Sequence, residues 1–152
     1  EYFKSNKRSN LTLSVVGDVD PNIRILFRNK NMGKIIFHGV VPRKELRRYI
    51  QECRALILPS YEEGLALVIP QALACGVPVI ATRESGAEEY IRHGYNGYIL
   101  DNQTVKSIAN CIDQLMSLSH DQLTLMSSRC IESVAKLGGW QRYGNIWSHI
   151  LG

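Results

Sequence analysis

SYEEGLALVIPQALACGVPVIAT, residues 60–82, is the stretch on which the fold turns. Two carboxylates, Glu62 and Glu63, and a bare glycine, Gly64, stand ahead of an almost unbroken apolar run that ends on GVPVI at 76–80. An ordinary core helix has no use for such a mouth. A strand-to-helix turn does, because the first amides of a helix lack intrahelical partners and carry the positive end of its dipole. Gly64 removes the Cβ that would keep a ligand away from that backbone. The arrangement suits a phosphate group. A carboxylate beside a phosphate is repulsive unless it has another task, and Glu63 is placed to accept hydrogen bonds from sugar hydroxyls. A capping carboxylate followed by a helix-start glycine is the plainer reading, and spacing alone leaves both open.

Outward from this stretch, short apolar runs alternate with helical spacing. Strands are expected over 11–16, 34–38, 55–58, 77–81 and 97–100. Helices are expected over 21–31, 42–53, from the opening stretch through Ala74, over 87–92, and near 103–118, 120–137 and 140–149. The strands are apolar on both faces, as in a parallel sheet covered on both sides. The fold class expected is therefore α/β. Ligands of such folds sit at the carboxyl ends of the strands, where Gly17-Asp18, the 39–42 loop and the 60–66 loop lie.

The totals agree with a globular domain. The chain has 152 residues, 45% hydrophobic and 21% charged, enough for one domain with a core. No apolar run approaches a membrane span, and no N-terminal stretch has the order of a signal peptide. The opening Glu1-Tyr2-Phe3-Lys4 lacks a Met and reads as a start inside a longer protein. Cysteines at 53, 75, 111 and 130 show no Cys-x-x-Cys spacing, which argues for free thiols in a reducing compartment and against a metal site. Net charge is +4, but residues 1–60 carry 12 Lys/Arg against 5 Asp/Glu and residues 61–152 carry 6 against 9. The basic excess, in 4–8, 24–34 and 43–48, fits a solvated helix face or an anionic partner such as an anionic membrane surface. Nucleic acid fits less well, because no aromatics are interleaved with the cations.

These residues resemble the nucleotide-sugar site of retaining glycosyltransferases of the two-Rossmann-domain (GT-B) fold, glycosyltransferase family 4. Pro59-Ser60-Tyr61-Glu62-Glu63-Gly64-Leu65-Ala66 is similar to the family's Pro-Ser-x-x-Glu-Gly-Phe-Gly. Gln71-Ala72-Leu73-Ala74 and Gly76-Val77-Pro78-Val79-Ile80-Ala81 stand where it has Glu-Ala-Met-Ala and Gly-x-Pro-Val-Ile-Ala. Ser85-Gly86, Glu88-Glu89 and the run Gly94-Tyr95-Asn96-Gly97-Tyr98 continue the likeness, and Val16-Gly17-Asp18 and Phe37-His38-Gly39-Val40 begin it.

The resemblance implies the C-terminal half of a GT-B fold, a Rossmann-like parallel sheet flanked by helices. It implies one partial nucleotide-sugar-binding domain over 1–152, with its last helices in 103–149. Glu63 would be the catalytic-site carboxylate that contacts the donor sugar, and the amides of Gly64, Leu65, Ala66 and Leu67 would contact the diphosphate. Gln71 would hold the ribose, and Val40, Val41 and Pro42 would lie near the base. Gly17 and Asp18 are either a turn or a wall of the nucleotide site. The donor implied is a UDP-, GDP- or ADP-sugar, with no metal or other cofactor. Transfer would go, with retention, to a glycan or lipid-linked acceptor held by an N-terminal domain, in a cytoplasmic protein with peripheral contact to the inner face of an anionic membrane.

The chain departs from the family pattern in three places. Gln71 replaces a glutamate, which loses a charge-assisted bond worth about 1 kcal/mol. Pro70 falls inside the expected helix, so the regular helix starts late, near Ile69, or kinks. The family's first strand, with its Arg- and Lys-bearing loop, has no counterpart here, and residues 1–152 alone are expected to be inactive. Two other readings stand beside the transferase: a catalytically degenerate binding or scaffold module, for which Gln71 speaks, and a nucleotide-sugar epimerase of the same fold. His38 reads as a satisfied histidine at a strand end, and Tyr95-Asn96-Gly97 as a tight turn with φ > 0 at Gly97.

Overall fold

A computed structural model describes residues 11–28, 35–62 and 66–135, and packing divides the chain into two units, Glu1–Leu46 and Arg47–Gly152. In the first unit, β1 (Leu13–Val16) and β2 (Ile35–Gly39) pair in parallel, with Leu13 opposite Ile35 and Val15 opposite Phe37. The register slips between Val15 and Val16, so that Val16 faces Gly39. Between them runs α1 (Pro21–Arg28). Pro21 takes its first position, where the missing N–H has no partner to lose. Asp20 caps it: its carbonyl accepts from the Arg24 N–H at 3.0 Å and its Oδ1 from the Asn22 N–H at 2.7 Å. The end expected for this helix, 29–31, lies outside the described residues.

Pro42 leads into α2 (Arg43–Gln51), and the boundary between the units falls inside this helix. Its cations point outward, while Leu46 and Tyr49 are half-buried and Ile50 is buried, the face expected from their spacing.

The second unit holds β3 (Leu56–Leu58), β4 (Val79–Thr82) and β5 (Gly97–Leu100) in the order β3-β4-β5, all parallel. Leu58 faces Ala81, and Thr82 faces Leu100. Every residue of β4 and β5 is buried, as expected of strands apolar on both faces. Among the described residues, the helices of this unit after β3 are α3 (Val68–Ala74), α4 (Val105–Ser117) and α5 (His120–Ala135). Helix α3 packs on α5, and α4 on β4 and β5. Ile69, Leu73, Ile80, Leu100 and Leu115 form the centre of the core. Each contributes about 1.5–3 kcal/mol by leaving water.

The conflict at Pro70 is resolved by a late start. Helix α3 begins at Val68, so Pro70 lies in its first turn, among the amide positions that have no intrahelical acceptor. At the other end Gly76, at φ 73°, donates to the Leu73 carbonyl at 2.9 Å, and the Val77 N–H reaches the Ala72 carbonyl at 3.0 Å. This paired ending satisfies two carbonyls the helix leaves open. It also seats Gly76 against α5, where a Cβ would come 2.5 Å from the Ser127 Oγ.

Two local expectations are corrected. The helix expected over 87–92 is instead a pair of 3₁₀ turns, Arg83–Ser85 and Ala87–Glu89. Backbone groups that a longer helix would use are taken by a side chain: the Arg92 N–H donates to Asn96 Oδ1 at 2.8 Å, and the Tyr90 carbonyl accepts from Asn96 Nδ2 at 2.9 Å. Gly97 does not supply the positive φ of the following turn; Gly94 does, at 74°. Gly97 opens β5 where a Cβ would lie 2.3 Å from the Val79 carbonyl oxygen, so the strand needs glycine for close approach.

The helices expected near 103–118 and 120–137 are α4 and α5; Thr104 caps α4, accepting from the Ser107 N–H at 3.2 Å. The helix expected over 140–149 and the Gly138-Gly139 bend lie outside the described residues. Among the described residues, no helix is long and apolar enough to cross a membrane. The cysteines are free thiols, with Cys111 and Cys130 buried.

Candidate functional site

Parallel pairing puts the carboxyl ends of β3, β4 and β5 at one edge of their sheet, from which the segments 59–66, 83–89 and 101–104 depart. The first of these bears the motif. Glu63, Gly64 and Leu65 lie outside the described residues, but both ends of their loop are placed.

At the near end, the Ser60 carbonyl accepts from Thr82 Oγ1 at 2.6 Å and from Gln103 Nε2 at 3.4 Å. At the far end, the buried Ala66 donates its N–H to the Ser85 carbonyl at 3.3 Å. Ser85 Oγ in turn donates to the Thr82 carbonyl at 2.7 Å. Two buried hydroxyl residues from one segment, 82–85, thus hold both ends of the motif loop. Ser85 stands in the sequence only as part of the family likeness, and neither it nor Thr82 nor Gln103 has a role assigned there. The available signal was a hydroxyl closing the apolar run VIAT, since a buried polar group needs a partner.

Of the residues expected at the diphosphate, Ala66 has its amide engaged by Ser85, while Leu67 is half-exposed and takes helical angles just before α3. Gln71, expected at the ribose, is half-buried in the first turn and a half of α3, with its N–H directed to the Leu67 carbonyl at 3.3 Å. Beyond β4, Arg83 and Glu88 form an exposed ion pair between the two 3₁₀ turns. That contact accounts for one of the two glutamates at the turn.

In the first unit, Gly17 and Gly39 close the carboxyl ends of β1 and β2 through a Gly17 N–H bond to the Gly39 carbonyl at 2.8 Å. This bond brings the Gly17-Asp18 and 39–42 segments together. Asp18 is exposed and Gly17 is in a bend. Val40 is 77% exposed, unusual for an apolar side chain at a strand end, and Val41 is half-buried. Pro42 is exposed and precedes α2, its carbonyl accepting from the Glu45 N–H at 2.8 Å. His38 Nε2 lies 3.2 Å from Ser14 Oγ on the neighbouring strand, as expected of a satisfied histidine.

The model of the family described as Glycosyl transferases group 1 matches residues 1–135. The chain belongs to the group 1 glycosyl transferases. This group 1 chain is 26% identical over 135 residues to an uncharacterized glycosyltransferase of Methanocaldococcus jannaschii, covering 81% of itself and 38% of that relative. Sucrose-phosphate synthase from Thermosynechococcus elongatus shares its fold with a TM-score of 0.80 at 25% identity, over 92% of this chain and 38% of the synthase. Anabaena HepE, solved in complex with UDP, gives a TM-score of 0.77 at 22% identity, over 91% of this chain and 41% of HepE. The fold is that of the Rossmann-like C-terminal half of GT-B glycosyltransferases. The group 1 chain spans about a third of the length of the curated relatives it matches.

Proposed function

We propose that this chain is the donor-binding part of a retaining glycosyltransferase of family 4 that transfers a sugar from a nucleoside diphosphate. The observation that carries the reading is the motif loop, pinned at both ends at the carboxyl edge of β3 and β4. Glu63 accepts from hydroxyls of the donor sugar. The amides of Gly64, Leu65 and Leu67 face the diphosphate, with Ala66 serving instead as an anchor because its N–H is taken. Gln71 accepts from the ribose, and Val40, Val41 and Pro42 border the base, with Gly17 and Asp18 beside them. HepE has been solved with UDP and with UDP-glucose, which makes a uridine nucleotide the first donor to try here.

The chemistry asked of this half is electrostatic. As the glycosidic bond to the diphosphate breaks, negative charge grows on the leaving oxygen, and fixed amide dipoles stabilise it without reorganising. In this reading no metal takes part, and a glycan or lipid-linked acceptor is held by residues outside 1–152, so that 1–152 alone does not catalyse transfer. A match to a transferase family over 1–135 does not favour the degenerate module or the epimerase.

The test is a transfer assay on the intact protein with UDP-, GDP- and ADP-sugars, run with and without EDTA, with the anomeric proton of the product read by NMR. Metal-independent transfer with retention is expected. Epimerised sugar nucleotide or an inverted product would overturn the reading.

A second element of the proposal is contact with the cytoplasmic face of an anionic membrane. It is supported by Arg43, Lys44 and Arg47, which project from one short helix, are exposed, and form no ion pair among the described residues, whereas Arg48 pairs with Glu52. The like-charged Arg43 and Arg47, one turn apart, cost about 0.2–0.5 kcal/mol unless an anionic surface offsets them. The basic residues at 4–8 and 30–34 lie outside the described residues. Co-sedimentation with vesicles is expected to rise with phosphatidylserine content and to fall in Arg43→Ala/Arg47→Ala. Sedimentation independent of anionic lipid would remove this element.

A further inference from the structure

We infer that Thr82 is a positioning residue for the loop that bears Glu63. Its hydroxyl sits at the end of an otherwise apolar strand and is fully buried. A hydroxyl there is costly without a partner, and valine would fit the same space and the same backbone. The partner Thr82 has belongs neither to its own strand nor to a core side chain. It is the Ser60 carbonyl, 22 residues away in sequence, at the start of the motif loop. The bond is 2.6 Å, at the short end for a hydroxyl donor.

The remaining bonds make this contact one link of a closed circuit. The Thr82 carbonyl accepts from Ser85 Oγ, and the Ser85 carbonyl accepts the Ala66 N–H. Loop start, strand end, 3₁₀ turn and loop end are joined in series, so the separation of residues 60 and 66 is set by 82–85. Gln103, from the segment after β5, donates to the same Ser60 oxygen and braces it from the next strand.

For ligand binding the consequence is a population effect. A loop of seven residues with its ends fixed samples fewer conformations, and the apparent dissociation constant varies inversely with the fraction in the binding geometry. The effect on binding rests on the proposed function of the loop. The effect on loop order rests on the hydrogen bonds alone.

The experiment compares wild type, Thr82→Val, Thr82→Ser and Gln103→Ala in the intact protein. UDP affinity is read by calorimetry, and amide hydrogen exchange is read over 60–67 and over α5. Thr82→Val is expected to weaken UDP binding by about tenfold, the equivalent of one buried hydrogen bond. It is also expected to speed exchange over 60–67 while leaving α5 unchanged. Thr82→Ser restores the hydroxyl and returns both readouts toward wild type. Gln103→Ala, a change outside the buried strand, shifts both in the same direction by less.

Wild-type affinity together with wild-type loop exchange in Thr82→Val overturns the inference, as does faster exchange spread evenly over loop and α5, the mark of a merely structural role. Should Thr82→Val fail to fold, Gln103→Ala decides, and unchanged exchange over 60–67 in that variant overturns the inference. Should wild type bind neither UDP nor, in the same titration, GDP or ADP, the proposed function falls, and the exchange comparison alone decides the tether.

Discussion

Asn96→Ala tests how the 90–97 segment is held. Asn96 is fully buried, and its side chain makes three hydrogen bonds. Oδ1 accepts the Arg92 N–H at 2.8 Å, while Nδ2 donates to the Tyr90 carbonyl at 2.9 Å and to Ser133 Oγ at 3.0 Å. Its own carbonyl accepts from the Cys130 thiol at 3.2 Å. Two of the side-chain bonds shape the turn, and the third ties it to α5. Alanine removes all three, at about 1 kcal/mol each, for a total loss near 3 kcal/mol. Both of the bonds to the backbone are part-buried, so the stranded groups raise this figure by less than full burial would.

Ser133→Ala is the internal standard. It removes one of the three bonds, leaves Nδ2 its Tyr90 partner, and also removes the bond from Ser133 Oγ to the Cys130 carbonyl at 2.7 Å, at a cost of about 1–2 kcal/mol in all. Reversible urea unfolding of the two variants, with the slopes compared to establish two-state behaviour, gives both numbers. A loss in Asn96→Ala no larger than that in Ser133→Ala would refute the view that this residue organises the segment.

Gly76→Ala is expected to cost about 1–3 kcal/mol, because a Cβ meets Ser127 Oγ at a backbone φ of 73°; thermal unfolding should show a lowered Tm, recovered in part by Ser127→Gly or Ser127→Ala. Burial pushes the Cys130 thiol from its ordinary 9.0 up to about 12. The unfolded chain therefore releases this proton first, so stability is independent of Cys130 below pH 9 and falls as pH rises from there toward 12; unfolding curves of Cys130→Ala over that range should be less steep with pH than those of wild type. Gln71→Glu in the intact protein is expected to tighten nucleotide-sugar binding by about 1 kcal/mol through a charge-assisted bond to the ribose, measured by calorimetry against UDP and against a 2′,3′-dideoxy analogue that should show no gain.

Much of this structure is legible in the sequence because it rests on repeated, local patterns. The buried strands β4 and β5 announce themselves as unbroken apolar runs, and the late start of α3 follows from one proline whose missing N–H allows few places. The break between strand and helix is legible as well: β3 ends at Leu58 and α3 starts only at Val68, with Glu63 and Gly64 themselves outside the described residues. What is not legible depends on partners far apart in the chain. Thr82 reads as one more β-branched strand residue until the Ser60 carbonyl is seen above it. Asn96 reads as a turn residue, the commonest use of Asn beside Gly, because its partners on α5 lie 34 and 37 positions away. The same side chain explains the missing helix over 87–92: local spacing favours a helix, and a buried amide captures the backbone groups that would extend it. Gly97 shows the matching error, a glycine credited with freedom of φ where the strand needs the absence of a side chain.

The proposed role of Glu63 is to hold a nucleotide-sugar at the 60–66 loop. Calorimetric titration of the intact protein with UDP-, GDP- and ADP-sugars, in parallel with Glu63→Ala, measures that role. Selective binding of one donor, weakened by about tenfold or more in Glu63→Ala, is the result predicted for a carboxylate that accepts from sugar hydroxyls. Binding unaltered by Glu63→Ala, or no binding of any donor, would contradict it.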